Sequence, residues 1–133
     1  MLSKWPVLLY LTVEAGDVDG DGLLTDAACE RLFAAGRGEY FALSTTVDAD
    51  RVTVIETSRP RRGTAAIAEG DEVSVSVSVT ELFPDRFEMA ARVRPAEGDA
   101  VVADLRCIAS AGEVTTAVRD DLIAIAHAAP HWH

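Results

Sequence analysis

Lysine is nearly absent: Lys4 is the only one in 133 residues, and arginine supplies the other 11 of the 12 basic side chains. Against 22 acidic residues this leaves a net charge of −10. A surface of that sign repels phosphate backbones and argues against a nucleic-acid partner. Cysteine is scarce too. Cys29 and Cys107 are the only two, and neither belongs to a CxxC pair, so zinc and dithiol redox readings have no support. Two buried free thiols fit a reducing, cytoplasmic compartment. Long apolar runs are also missing. No stretch approaches the roughly 20 apolar residues needed to span a membrane. Lys4 followed by WPVLLYLTV imitates a secretory leader, but Pro6 falls at the start of a short run and no A-x-A-like cleavage site follows. The segment reads better as a buried strand. Internal repeats and low-complexity linkers are absent.

What is present is a core. Hydrophobic residues make up 49% of the chain, too many for a disordered segment. The length suits one domain, residues 1–133, rather than two.

The apolar pattern predicts the elements. Trp5 to Glu14 reads as a strand bounded by Pro6 and Gly16. Ala15 to Leu24 is a polar loop. Thr25 or Asp26 then caps a helix in which Cys29, Leu32, Phe33, Gly36 and Tyr40 recur at helical spacing, with Glu30 and Arg31 pointing elsewhere. Gly36 and Gly38 each cost this helix about 1 kcal/mol relative to alanine. A sheet that must approach the helix backbone closely is a reason to retain them. Beyond the helix the period changes to two. Arg51–Thr57 alternates, and Arg59, Pro60, Arg61, Arg62 and Gly63 break it. Glu72–Leu82 alternates strictly, as a half-buried strand does. Turns at 82–86 and 95–99 separate Arg86–Val93 and Ala100–Ala111, which therefore pair antiparallel. Ala117–Ala128 is a final helix with Val118, Leu122 and Ile125 as its stripe, ended by Pro130. The fold class is α+β: a five-stranded antiparallel sheet wrapped round one long helix.

Several groups could carry chemistry. DVDGDGLLT places Asp17, Asp19 and Asp21 at positions one, three and five of a calcium loop and Gly22 at six. Position twelve should be a bidentate glutamate and is Ala28, and a strand rather than a helix precedes the loop. The plain alternative is a Gly- and Asp-rich turn that caps a helix. Arg59, Arg61 and Arg62 either meet phosphates, which their forked guanidinium groups suit, or form a solvated cluster. Glu30 and Glu39 either face a site or, the preferred reading, lie on a solvated or partner-facing side of the helix. His127, His131 and His133 sit at a fraying terminus and are not taken as a metal site. Trp5 and Trp132 read as packing residues.

Two segments together resemble a known family. Val13–Phe41 (VEAGDVDGDGLLTDAACERLFAAGRGEYF) is similar to the opening of hotdog-fold thioesterases of the 4-hydroxybenzoyl-CoA thioesterase type. The matching positions are Asp17, Asp19, Gly22, Leu23 and Leu24, the helix from Asp26, then Arg37, Tyr40 and Phe41. EGDEVSVSVSV, from Glu69, is similar to the family's Gly-Asp entry into a long alternating strand. The resemblance implies a hotdog fold and hydrolysis of an acyl-CoA or related acyl thioester. It implies Asp19 as general base or nucleophile. Gly22, Leu23, Leu24, Thr25, Asp26 and Arg59 would line the substrate. Free N–H groups around Leu24 to Ala27, at the positive end of the helix dipole, would stabilise the oxyanion. No metal or other cofactor is needed. A homodimer or homotetramer with sites between subunits is implied. The chief alternative is a hotdog protein that binds acyl ligands without turning them over. Hotdog hydratases are less similar, since their active-site histidine motifs are absent.

Overall fold

The Thr25 hydroxyl accepts the Ala28 N–H at 3.1 Å while its own backbone stays extended (φ −67°, ψ 160°), and this starts the long helix α1, Asp26–Ala42. In the computed structural model, which describes residues 7–127, α1 lies on a six-stranded antiparallel sheet. The strands are β1 (Val7–Thr12), β2 (Thr53–Thr57), β3 (Arg61–Arg62), β4 (Glu72–Leu82), β5 (Phe87–Pro95) and β6 (Ala103–Ser110). Their order is β1-β4-β5-β6-β2, with β3 also paired to β6. A second helix, α2, covers Thr116–His127. The readings for Trp5, Pro6, Ala128, Pro130, His131, Trp132 and His133 lie outside the described residues.

The helix stripe read from the sequence is the buried one: Cys29, Leu32, Phe33, Gly36 and Tyr40 all face the core. They meet Val73, Val75, Val77 and Val79 of β4, Met89, Ala91 and Val93 of β5, and Leu105, Cys107 and Ala109 of β6. These strand residues alternate along the chain, so one face of the sheet carries the core. Both cysteines are free and buried. Of the two helix glycines, only Gly36 is required by packing. A Cβ there would stand 2.5 Å from Val77 Cγ2 and 3.1 Å from Val75 Cγ1, whereas one on Gly38 would meet nothing within 4 Å.

Two expectations are corrected. β4 is not half-buried: Ser74, Ser76, Ser78 and Thr80 on its outer face are also buried. β4 lies between β1 and β5, and Ser74 is paired with Tyr10 and Arg94, Ser76 with Arg92. Cross-strand partners share a face, so a small serine is shaded by longer neighbours. The sheet also has six strands rather than five. The segment read as a break holds two residues that pair, Arg61 with Asp104 and Arg62 with Ala103. Ala49–Arg51, which precedes β2, is a 3-10 turn capped by Asp48.

α2 is tied to the end of α1. Asp121 accepts hydrogen bonds from Ser44 Oγ (2.5 Å), Thr46 Oγ1 (2.7 Å) and the N–H groups of Thr45 (3.2 Å) and Thr46 (3.3 Å). Burial pushes its carboxyl upward, but the four donors outweigh burial and hold it below the ordinary value of 3.8. A depressed folded value means that Asp121 contributes its stability in full at neutral pH. The contribution is lost as the pH falls from about 4 through the depressed value. Asp121→Ala should cost on the order of 1–2 kcal/mol at pH 7. In thermal unfolding from pH 7 to pH 3, the gap between the variant and the parent should narrow toward the acid end. A gap that stays constant would refute the ion's role.

Candidate functional site

The loop before α1 is folded by its own aspartates. Asp19 Oδ1 accepts the N–H groups of Asp21 (2.8 Å) and Leu23 (3.1 Å). The Asp19 N–H reaches the Leu23 carbonyl at 2.8 Å, and Val18 and Leu24 form an isolated bridge. Gly22 takes φ +78°, a conformation that L side chains rarely adopt. The result is a small exposed hairpin that presents the Asp19 carboxylate to solvent. Its Oδ2 accepts no hydrogen bond among the described residues.

This geometry opposes the calcium reading. Asp17 Oδ2 accepts the Glu14 N–H at 2.8 Å and is paired with the Arg31 guanidinium. A carboxylate bound to an arginine and a backbone donor is poorly placed to ligate a cation. Among the described residues, no three His, Cys, Asp or Glu side chains are grouped to hold a metal.

At the helix start, the Thr25 N–H donates to the Asp17 carbonyl at 2.8 Å, so it is not available to a ligand. The N–H groups of Asp26 and Ala27 have no acceptor among the described residues, as the first turn of a helix requires. Leu24 is 1% exposed and belongs to the core. Leu23 remains 38% exposed at the tip of the hairpin.

Two clefts meet at the link from β2 to β3, one on the helix side of the sheet and one on its outer face. The first holds about 340 Å³ between the first half of α1 and the link from β2 to β3. Asp26, Cys29, Glu30 and Phe33 line it from the helix, Thr57 to Pro60 from the link, and Leu105 from the sheet. The second, of about 280 Å³, is lined by Arg59, Arg61, Arg92 and Arg106 with Asp104, and shares Ser58, Arg59 and Leu105 with the first. Four arginines line it and two of them are paired with carboxylates, so it is positive on an acidic protein. Arg92 is held by Asp104 (2.7 Å) and Arg106 by Glu88 (3.3 Å).

Of the residues expected to bind substrate, the structure brings Asp26 and Arg59 into the first cleft. Asp19, Gly22 and Leu23 stand on the hairpin just before it. Glu30, read as solvated or partner-facing, is exposed and also lines the cleft, where Arg37 Nη2 donates to its Oε1 at 2.9 Å. Arg37 also lies 4.7 Å over the Phe33 ring. The i, i+3 and i+7 spacing of 30, 33 and 37 places them on one helix face, a signal the sequence carried. Nothing in the sequence showed that the link from Thr57 to Pro60 would close the other wall. Burial raises the Cys29 thiol despite nearby Arg62, and pushes Cys107 up to about 11. Both stay protonated at neutral pH, so neither is a ready thiolate nucleophile.

No protein-family model matches the chain, and no curated protein matches it. Solved structures do. A thioesterase from Thermus thermophilus, complexed with coenzyme A and Zn, is 20% identical, with 95% of this chain and 98% of that one covered and a TM-score of 0.78. A Staphylococcus aureus protein in complex with CoA is 10% identical over 98% and 90% of the two chains, with a TM-score of 0.68. A 1,4-dihydroxy-2-naphthoyl-CoA thioesterase from Synechocystis is 14% identical over 84% and 94%, with a TM-score of 0.66. Identities this low establish architecture alone: the chain shares the hotdog fold of these proteins.

Proposed function

We propose that the protein hydrolyses an acyl-CoA or related acyl thioester, with Asp19 as general base or nucleophile. The observation that carries this reading is a pair of clefts that share Ser58, Arg59 and Leu105 at the edge of the sheet. One lies at the N-terminal half of α1, the helix that the Asp19 hairpin precedes in the chain, and contains the apolar Phe33 and Leu105; the other is lined by four arginines. A thioester with an acyl end and a polyphosphate end matches that division. The open N–H groups of Asp26 and Ala27 are suited to the developing oxyanion, each such donor being worth about 3 kcal/mol in acyl transfer. Asp19, with Oδ1 fixed by two backbone donors, can direct Oδ2 at the carbonyl carbon or at a water.

A second copy of the chain is part of the reading. β2 is an edge strand on which Ile55 is 52% exposed, and open edges invite pairing. Pairing there would set the clefts of two subunits close together, as the fold resemblance implies.

The test is thiol release from a panel of short, medium, long and aromatic acyl-CoAs. Turnover of any member supports hydrolysis and identifies the acyl class. Tight binding without turnover of any member would favour an acyl-ligand-binding protein instead. Arg59 separates the carriers. Arg59→Ala should raise KM for acyl-CoA about tenfold and leave kcat nearly unchanged, as loss of uniform binding does. The same variant should be indistinguishable from its parent on an acyl thioester of N-acetylcysteamine, which has no phosphates. An equal loss on both substrates would remove Arg59 from phosphate binding.

A further inference from the structure

Arg62 was grouped by sequence with Arg59 and Arg61, but its surroundings are different. β3 is only two residues long, and its register sets the two arginines apart. Arg61 pairs with Asp104 and Arg62 with Ala103. Ala103 is fully buried among the core residues under α1. Arg62 is therefore delivered to the helix side of the sheet, and Arg61 to the outer face.

On that side one guanidinium serves three parts of the molecule. Nε and Nη2 donate to the Leu24 carbonyl at 3.1 and 2.7 Å. Nη2 also reaches Asp26 Oδ1 at 2.8 Å, and Nη1 reaches the Pro60 carbonyl at 3.3 Å. Leu24 closes the Asp19 hairpin through its bridge to Val18. Asp26 is the first residue of α1, and Pro60 belongs to the opposite wall of the first cleft. The two donors on the Leu24 carbonyl are the ones it has among the described residues, and Leu24 itself is buried. A lysine, with a single ammonium on a flexible stem, cannot present this planar fork.

We infer that Arg62 is the positioning residue of the site: it sets the Asp19 hairpin and the open N-terminus of α1 against the cleft wall at Pro60. The inference rests on the thioesterase reading for its kinetic consequence, but not for its structural one. Arg62 touches no reacting atom. It acts through Leu24 and Asp26, and displacement of a catalytic carboxylate relative to its substrate by about 1 Å is enough to lower turnover on the order of 100-fold.

The experiment compares the full chain with Arg62→Lys and Arg62→Met. Backbone amide hydrogen exchange is read by mass spectrometry over residues 17–28, and kcat and KM are read on the best acyl-CoA well below each variant's Tm. Exchange over 17–28 should accelerate about tenfold or more in both variants, while β4 to β6 keep their protection. The kcat should fall on the order of 10- to 100-fold in both variants with KM changed by less than about threefold. Arg62→Lys keeps a cation beside Asp26 and protects the comparison should Arg62→Met fold poorly. Unaltered exchange over 17–28 overturns the inference whatever the activity. Faster exchange with an unchanged kcat also overturns it, because the site would then not depend on the clamp. If the parent turns over no acyl thioester, the thioesterase reading fails by itself, and hydrogen exchange alone decides whether Arg62 positions the segment.

Discussion

Asp19→Asn should lower thioester turnover about a hundredfold or more, the scale expected for loss of a general base, while leaving the fold and KM nearly intact. The reason for asparagine rather than alanine is structural. Asp19 has two separable roles. Its Oδ1 accepts the N–H groups of Asp21 and Leu23 and so shapes the hairpin. Its negative charge is what a base or nucleophile needs. Asparagine keeps an amide oxygen in the Oδ1 position and removes the charge, whereas alanine removes both. If Asp19 only shapes the loop, the asparagine variant stays active and the alanine variant loses activity. If Asp19 is the reacting carboxylate, both lose it. The variant must be assayed fresh, because an asparagine followed by Gly20 deamidates readily through a succinimide to isoaspartate and aspartate, and the aspartate fraction is the parent. Glu30→Gln belongs in the same experiment, since Glu30 is a carboxylate that lines the first cleft. Loss in Glu30→Gln with an active Asp19→Asn would move the reacting group one turn into α1.

Gly36→Ala should destabilise the protein by about 2 kcal/mol, and Gly38→Ala should stabilise it by about 0.5–1 kcal/mol. On helix propensity alone the two substitutions are equivalent, and each would gain about 1 kcal/mol. Neither glycine has a positive φ, so backbone strain does not separate them. Packing does. The new methyl at 36 would lie 2.5 Å from Val77 Cγ2. Val77 is fully buried on a strand paired on both sides, and its branched side chain has little rotamer freedom. α1 would have to lift from β4, and overpacking of a tight core costs about 1–3 kcal/mol. The methyl at 38 meets nothing within 4 Å. In thermal unfolding the expected change is a Tm fall of about 6–10 °C for Gly36→Ala and a rise of about 2–4 °C for Gly38→Ala. Changes of the same sign and size in both would mean that α1 does not sit on β4 through Gly36.

These glycines mark the boundary between what the residues declare and what packing adds. The 3.6-residue spacing of Cys29, Leu32, Phe33, Gly36 and Tyr40 identified α1 and its inner face, because a helix can bury only one stripe. Strict alternation placed β4 at Glu72–Leu82 to the residue. The Asp- and Gly-rich loop ahead of a capping Thr25 located the start of the candidate site. All of these are local signals, set by backbone period and by side chains that bond to their own neighbours.

Distant contacts were not legible. That Gly36 is required and Gly38 is not depends on Val75 and Val77, about 40 residues along the chain. The burial of the β4 serines depends on which strands flank β4, and sequence alternation reports one strand at a time. Most of all, the arginines between 59 and 62 look alike in sequence. The one-residue step of a short strand sends Arg61 to the outer face and Arg62 beneath the start of α1. By itself the sequence determined both helices, the longer strands, the core stripe and the place of the aspartate loop, because these follow from period and local hydrogen bonding. Only the tertiary structure decided which carboxylates and arginines share a cleft, because that depends on strand order and register.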